Sequence, residues 1–202
     1  MKIVGVILAG GQSTRMGGGD KSLLDLGDKP LLAHVIERLS PQVESLAINA
    51  NGDPTRFDMF ALPVVADSID GFAGPLAGVL AGLDWAAGKG ADYIATAAAD
   101  TPFFPENLVA TMQTKLTPDT PLAMAMTPDP DRKFARHPTF GLWPVILRED
   151  LRTALQNDIR KVIQWTEPHG CAKVMFNEIN AFFNVNTPDD MIKAEKMLKG
   201  SR

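Results

Sequence analysis

The chain has 202 residues, 45% of them hydrophobic and 22% charged, which is the usage of one ordinary globular domain and excludes a disordered or fibrous chain. A formal net charge of −4 and a pI of about 5.4 exclude the basic surface of a general nucleic-acid binder, so an anionic ligand must be met by a few well-placed cations. The lone cysteine, Cys171, excludes a disulfide framework and a cysteine zinc cluster, and no apolar run is long enough to span a membrane.

The chain opens with one Lys2 before a strand-like run and has no small-residue cleavage site, which predicts a cytoplasmic protein without a secretory signal. KIVGVILA predicts a short buried strand that runs into paired glycines. After the glycine-rich stretch, SLLDLGDK carries a turn at Gly27-Asp28. Pro30 suits the first turn of a helix in which Leu32, Val35, Ile36 and Leu39 recur at helical spacing. SLAINAN and LPVVAD predict the second and third strands, the latter ending on Asp67. GPLAGVLAGLDWAAGKG predicts a helix of small residues able to pack close to a sheet. DYIATAAAD predicts a fourth strand ending on Asp100, PENLVATMQTKL a helix opened by Pro105, and PLAMAMT a fifth strand. This alternation predicts a mostly parallel, Rossmann-like α/β sheet with helices on both faces.

The rhythm then changes. HPTFGLWPV is strand-like but carries prolines, the mark of an antiparallel edge or return. LREDLRTALQN and IRKVIQWTEPHG predict helices, and AKVMFNE a strand. AFFNVNTPDDMIKAEKMLKG predicts a short apolar strand and a last helix, with Thr187 as its cap, Pro188 at its first position, and Asp189 and Asp190 at its positive end. TPDPDRKFARHP, residues 127–138, predicts the most mobile loop. Without repeats or linker composition, a single domain is expected over residues 1–202.

The stretch LAGGQSTRMGGGDK, Leu8 to Lys21, holds five glycines and the cations Arg15 and Lys21 directly after a buried strand. Such a loop lets backbone N–H groups crowd around phosphate oxygens while a lysine adds a point charge. It is neither a Walker A loop nor a dinucleotide fingerprint, because Gly-Lys-Ser/Thr and GxGxxG are both missing. Asn49, Asp67 and Asp100 each end a predicted strand. In an open parallel sheet the ligand crevice lies at the carboxyl ends of the strands, so these groups are expected to converge with the glycine loop on one crevice.

LAGGQSTRMGGGDK resembles the N-terminal signature of the nucleotidyltransferases that share the sugar-nucleotide pyrophosphorylase fold. With GDKPLLAHVIERL, INAN, VVADS, GPLAGVLAGL, DTPF, HPTFGLW and FNVNTPDDM in order, the chain most resembles the molybdenum cofactor guanylyltransferases, the MobA family. The resemblance implies attack of a substrate phosphate on the α-phosphorus of GTP. The acceptor would be the molybdenum-pterin cofactor, and the products its guanine dinucleotide form and pyrophosphate. Repulsion between two anions and charge on the leaving group call for a divalent metal, Mg²⁺, on carboxylate oxygens.

By this resemblance Asp100, in its Asp-Thr-Pro context, is the metal ligand, although an aspartate after a strand also commonly caps the following turn. Lys21 reaches the triphosphate, and Arg15 shares that role or closes the loop. Leu8, Ala9 and Gly10 offer backbone groups to base and sugar, and Gly11 keeps a side chain out of the way. Asn49 and Asp67 bind nucleotide. For Asp67 the guanine N–H groups and the ribose hydroxyls remain equal alternatives, as does a plain polar loop residue when the residues are read without the resemblance. Asn184 and Asn186 are the pterin-side amides. Arg160 and Lys161 either meet the acceptor phosphate or form a solvated helix face. His34, His137 and His169 read as structural, and Cys171 has no assigned role. The nucleotide-binding half is expected over about residues 1–105 and the acceptor half over about 106–202.

Cytidylyl relatives tend to show Leu-Ala-Ala-Gly where this chain has Leu8-Ala9-Gly10-Gly11, and the missing Cβ at Gly10 leaves room for a purine. A cytidylyl or sugar-phosphate nucleotidyltransferase, or a non-catalytic nucleotide-binding adaptor for molybdoenzymes, are the alternatives. The sequence is silent on oligomeric state, and a monomer is the simplest expectation. Lability of such cofactors predicts handover to a molybdoenzyme or a chaperone. The small residues TAAA before Asp100 depart from the bulkier ones common in the family, which bears on packing rather than chemistry.

Overall fold

Ile3–Leu8 forms strand β1, whose first five residues are buried because it has a strand on either side and a packed layer on either face. The computed structural model describes residues 1–10, 20–69, 74–178 and 180–200. Around β1 runs a seven-stranded sheet of order β5-β4-β1-β6-β8-β7-β9. Its other members are β4 (Leu46–Asn49), β5 (Val64–Val65), β6 (Tyr93–Ala98), β7 (Leu122–Asp129), β8 (Lys133–Pro144) and β9 (Cys171–Met175). Every neighbouring pair is parallel except the two that involve β8. Asp25–Leu26 and Lys29–Pro30, β2 and β3, make a separate hairpin across the Gly27-Asp28 turn.

The side-chain period of two in β1 sorts the core into two layers. Ile3 and Ile7 lie in one buried layer with Leu32, Val35 and Leu39 of helix α1 (Leu31–Leu39) and Leu108, Val109 and Met112 of α3 (Leu108–Gln113). Val4 and Val6 face the other way. They meet Leu76, Val79, Leu80 and Leu83 of α2 (Pro75–Gly88) and Leu151 and Leu155 of α4 (Arg148–Gln156). Each such side chain contributes about 1.5–3 kcal/mol on burial, so the doubly covered sheet is a firm base for a polar edge. The short α5 (Val162–Thr166) and the last helix, α6 (Pro188–Gly200), complete the chain. Among the described residues no helix is long and apolar enough to cross a membrane.

The antiparallel element lies inside the sheet, between β6 and β7, rather than at its edge, and β5 and β9 are the edges. Pro138 is tolerated because the β7–β8 register shifts between Met124 and Ala125, whose partners are Gly141 and His137, so it falls in the irregular interval, and Pro144 is the last residue of the strand. Residues 127–138 are mostly strand, not loop. The hairpin runs out to Asp129 opposite Lys133, and Asp129 Oδ1 accepts the N–H groups of Asp131 and Arg132 at its turn. Helix α3 starts at Leu108, with Pro105 in the turn before it.

Residues 181–187 form no strand. Ala181, Phe182 and Val185 are buried as irregular chain, with Phe182 stacked on His137 at 4.3 Å between ring centroids. The small residues of β6 have a packing partner in fully buried Trp143, whose Nε1–H donates to Thr96 Oγ1 at 2.8 Å. Thr187 caps α6 as expected. Its Oγ1 accepts from Asp190 N, while Asp190 Oδ2 accepts from the backbone N–H groups of Asn186 and Thr187, a reciprocal capping box.

Candidate active site

Four parallel strands end in one row. Leu8 stands opposite Asn49 on one side and Ala98 on the other, and Asn49 stands opposite Val65. The ladder runs one residue further, through Ala9 N to Asn49 O (2.9 Å), Ala50 N to Val65 O (3.0 Å) and Ala99 N to Leu8 O (3.1 Å). The chain exits are therefore held by backbone bonds. They deliver Gly10, Asn51, Asp67 and Asp100 to the same edge, beside the point where the chain leaves β1 toward β4 and leaves β6 toward the opposite side of the sheet.

On one flank Asn49, 3% exposed, donates from Nδ2 to Asp67 Oδ1 (2.9 Å) and to Val65 O (3.1 Å). Asn51 donates to the other carboxylate oxygen, Asp67 Oδ2 (2.7 Å), and accepts from Asp67 N (2.9 Å). Two amides thus orient both oxygens of one carboxylate. The sequence reading missed Asn51. Its signal was the second amide of INAN, two residues past Asn49.

Helix α2 enters this flank without a side chain. A Cβ on Gly78 would stand 2.2 Å from Asn49 Oδ1 and 2.9 Å from Leu8 Cδ2, so GPLAG is the sequence cost of seating Asn49 under the helix. Gly74, the residue before α2, adopts φ of +137°, a conformation that side-chain-bearing residues rarely take. Gly10 differs. A Cβ there would meet Asn49 Oδ1 at an ordinary 3.9 Å, so packing among the described residues does not demand a glycine.

On the other flank Lys21 leads a short 3₁₀ turn, Lys21–Leu23, that is capped by Asp20. Its Nζ donates to Asp100 Oδ2 and to Asn186 Oδ1, each at 2.6 Å. The Lys21 and Asp100 side chains are 14% and 23% exposed. Three residues far apart in sequence meet at one ammonium. Asp100 turns this oxygen across the crevice, while Oδ1 accepts from the hydroxyl of neighbouring Thr101 (3.2 Å), and Val185 N donates to Asp100 O (2.9 Å). Asn184 lies exposed two residues before Asn186 and does not join the Lys21 contact. Arg160 pairs with Asp158 at 2.6 Å, and its carbonyl oxygen lies 4.0 Å from where a Gly74 Cβ would be, at the start of α2. Gly11 and Arg15 lie outside the described residues.

Residues 5–171 match the family model of the MobA-like NTP transferase domain. Over 204 residues the chain is 48% identical to the molybdenum cofactor guanylyltransferase of Mesorhizobium japonicum, with 98% of this chain and 96% of the relative covered. The chain belongs to the molybdenum cofactor guanylyltransferase family. It is an enzyme, a nucleotidyltransferase.

Solved structures agree on the fold. Molybdopterin-guanine dinucleotide biosynthesis protein A from Archaeoglobus fulgidus superposes with a TM-score of 0.74 at 21% identity, over 98% of this chain and 99% of that one. A CMP:2-keto-3-deoxy-manno-octonic acid synthetase complexed with CTP superposes with a TM-score of 0.76 at 15% identity over the whole of both chains.

The other reactive groups of this guanylyltransferase-family chain are quiet. Burial pushes the Cys171 thiol up to about 11, so it stays protonated at neutral pH and is no nucleophile. Burial pushes His137 down to about 4, leaving a neutral ring that shares a hydrogen bond with Thr127 Oγ1 (2.9 Å). His34 Nε2 bonds the Leu26 carbonyl at 2.8 Å, and His169 pairs with Asp150 at 2.7 Å. Among the described residues no group of three or more His, Cys, Asp or Glu could hold an ion. A cation at Asp100 would therefore draw most ligands from water and substrate phosphate, which is the habit of Mg²⁺.

Proposed function

We propose that the chain transfers GMP from GTP to the phosphate of the molybdenum-pterin cofactor, giving the guanine dinucleotide form and pyrophosphate. The observation that carries this reading is the meeting of Lys21, Asp100 and Asn186 at the carboxyl end of the sheet, beside an oriented Asp67.

An acceptor phosphate oxygen attacks the α-phosphorus, the bond to the β-phosphate oxygen breaks, and pyrophosphate leaves. Asp100 is the residue that would hold Mg²⁺, and the ion supplies neutralisation of phosphate charge when bound. Lys21, parked on Asp100 and Asn186, swings its ammonium to the triphosphate. Lys21 makes a single bond to each of these partners, and a triphosphate offers several anionic oxygens in exchange. Arg15 adds charge from the glycine loop, Gly11 keeps that loop bare, and Leu8, Ala9 and Gly10 present backbone to base and sugar.

Asn49 and Asn51 leave Asp67 further lone pairs, which accept from guanine N–H groups or ribose hydroxyls. The open face of Gly10 gives a purine its room. Asn184 and Asn186 serve the pterin. On this reading the nucleotide half, about residues 1–105, supplies Lys21, and the acceptor half, about 106–202, supplies its partner Asn186. The protein works in the cytoplasm as a monomer and passes its product to a molybdoenzyme or chaperone.

Titration calorimetry with GTP, CTP, ATP and UTP, each with Mg²⁺, tests the reading. Preference for GTP by about 10-fold or more is expected, since a matched hydrogen-bonding edge discriminates strongly. Preference for CTP would keep the chemistry and overturn the role of Gly10. No binding of any nucleotide would overturn the site.

A further inference from the structure

We propose that Arg56 is a positioning residue that ties the phosphate-binding end of the crevice to its base-binding end. It lies on the 3₁₀ turn Pro54–Phe60, its guanidinium centred 4.5 Å over the ring of buried Phe57. Three different nitrogens of this one group donate to three acceptors on two segments, Asp20 on one and residues 51–53 on the other. Nε bonds Asp20 Oδ2 (3.0 Å), Nη2 bonds the Asn51 carbonyl (2.7 Å), and Nη1 bonds the Asp53 carbonyl (2.5 Å).

Two of these partners, Asp20 and Asn51, are one step from the site. Asp20 precedes Lys21, and its other oxygen caps the turn that carries Lys21 by accepting from Ser22 N (3.1 Å) and Ser22 Oγ (2.6 Å). Asn51, its carbonyl held by Arg56, makes two side-chain bonds to Asp67. A continuous path of bonds therefore runs from Lys21 through Asp20, Arg56 and Asn51 to Asp67.

The chemistry explains why this matters. Phosphoryl-group transfer is catalysed largely by positioning, and a small misplacement of the reacting groups is costly. The planar guanidinium fork holds three acceptors at fixed angles, which a lysine cannot do. The Asp20 side chain is 14% exposed and that of Arg56 28%, so the pair is shielded enough to keep one geometry. A merely stabilising ion pair would need neither the Asn51 carbonyl nor the direct link to the residue before Lys21.

The inference rests on the GTP reading of the site, and its test separates the two. Dissociation constants for Mg²⁺-GTP are measured for the wild type, Asp20→Asn, Asp67→Asn and the double variant. Asp20→Asn keeps the turn-capping oxygen and removes the charge that faces Arg56. Asp20 and Asp67 make no contact on this path except through Arg56 and Asn51. The expected result is non-additivity of at least about 3-fold, where unconnected sites add to within about 2-fold.

A parallel cycle with Arg56→Gln and Lys21→Met is expected to couple likewise, with Arg56→Gln alone weakening GTP binding about 10-fold, the scale of a lost charged hydrogen bond. Melting temperatures check that each variant folds. Wild-type binding with additive cycles would overturn the role of Arg56 alone. Failure of the wild type to bind GTP would overturn the site reading and this inference with it.

Discussion

The two flanks of the crevice are built on opposite principles. At the Asp67 flank, neutral amides hold a carboxylate whose position is already set by strand register. Asn49 lies opposite Leu8 in the ladder and Val65 opposite Asn49, so the group is ready before a ligand arrives. At the Asp100 flank, a cation and an anion bind each other, and the contact is made by segments separated by 79 and 165 residues. In the proposed reading, one flank is preorganised to bind a ligand, and the other is stored in a neutralised form that a triphosphate must exchange. In the proposed reaction, recognition thus sits on the rigid parallel sheet, and the group-transfer machinery on the chain that spans its edge.

The largest break in this contrast is expected from Asp100→Ala. Turnover should fall by about 10²–10³-fold, the several kcal/mol that a bound metal supplies, while calorimetry shows GTP binding kept within about 10-fold. Equal loss of both would make Asp100 a plain binding residue.

Next comes Gly78→Ala, which attacks the preorganised flank alone. The new methyl competes with Asn49 Oδ1, 2.2 Å from its ideal position, and overpacking of this kind costs about 1–3 kcal/mol. GTP affinity is expected to fall about 10-fold with the guanine preference reduced. A lower melting temperature with normal affinity would show that Asn49 does not matter to the ligand.

A smaller effect is expected from Asn186→Ala. Lys21 keeps its bond to Asp100, so GTP affinity stays within about 2-fold, while the KM for the pterin acceptor rises about 3–10-fold, the worth of one hydrogen bond.

The smallest effect concerns acid. Burial depresses His137 from its ordinary 6.5 to about 4, so the unfolded chain takes up the proton first. Its contribution to stability is therefore full above pH 6.5 and is lost as pH falls from 6.5 toward 4. Because His137 stacks on Phe182, just before Asn184 and Asn186, acid should loosen the acceptor side. Melting temperature measured across that window should slope less steeply in His137→Phe.

Most elements were legible because their periodicity is local. The β1 run, the small-residue helix α2 and the Thr187 cap each announce themselves within a few residues. Residues 181–187 misled because their apolar pattern suits a strand, yet Phe182 is stacked on His137 and Val185 is buried with Leu26, Leu31 and Ala194 instead. Pro138 suggested an antiparallel edge or return, and the strand is the antiparallel return, its proline absorbed inside the sheet by the register shift in the β7–β8 pair. Within the site, Lys21, Asp67 and Asp100 were visible as charged groups at strand ends or in a glycine loop. Arg56 carried no signal, since an arginine in a turn usually meets only water.

The sequence by itself determined which strands are buried on both faces and which residues stand at their carboxyl ends, because alternation, β-branching and glycine act over neighbouring positions. Tertiary structure alone decided that Lys21 rests between Asp100 and Asn186, that Gly78 must lack a side chain for Asn49 to reach Asp67, and that Arg56 spans the two flanks. The physical reason is that hydrogen bonds are set by distances of a few ångströms between groups many residues apart, and only the packed sheet fixes those distances.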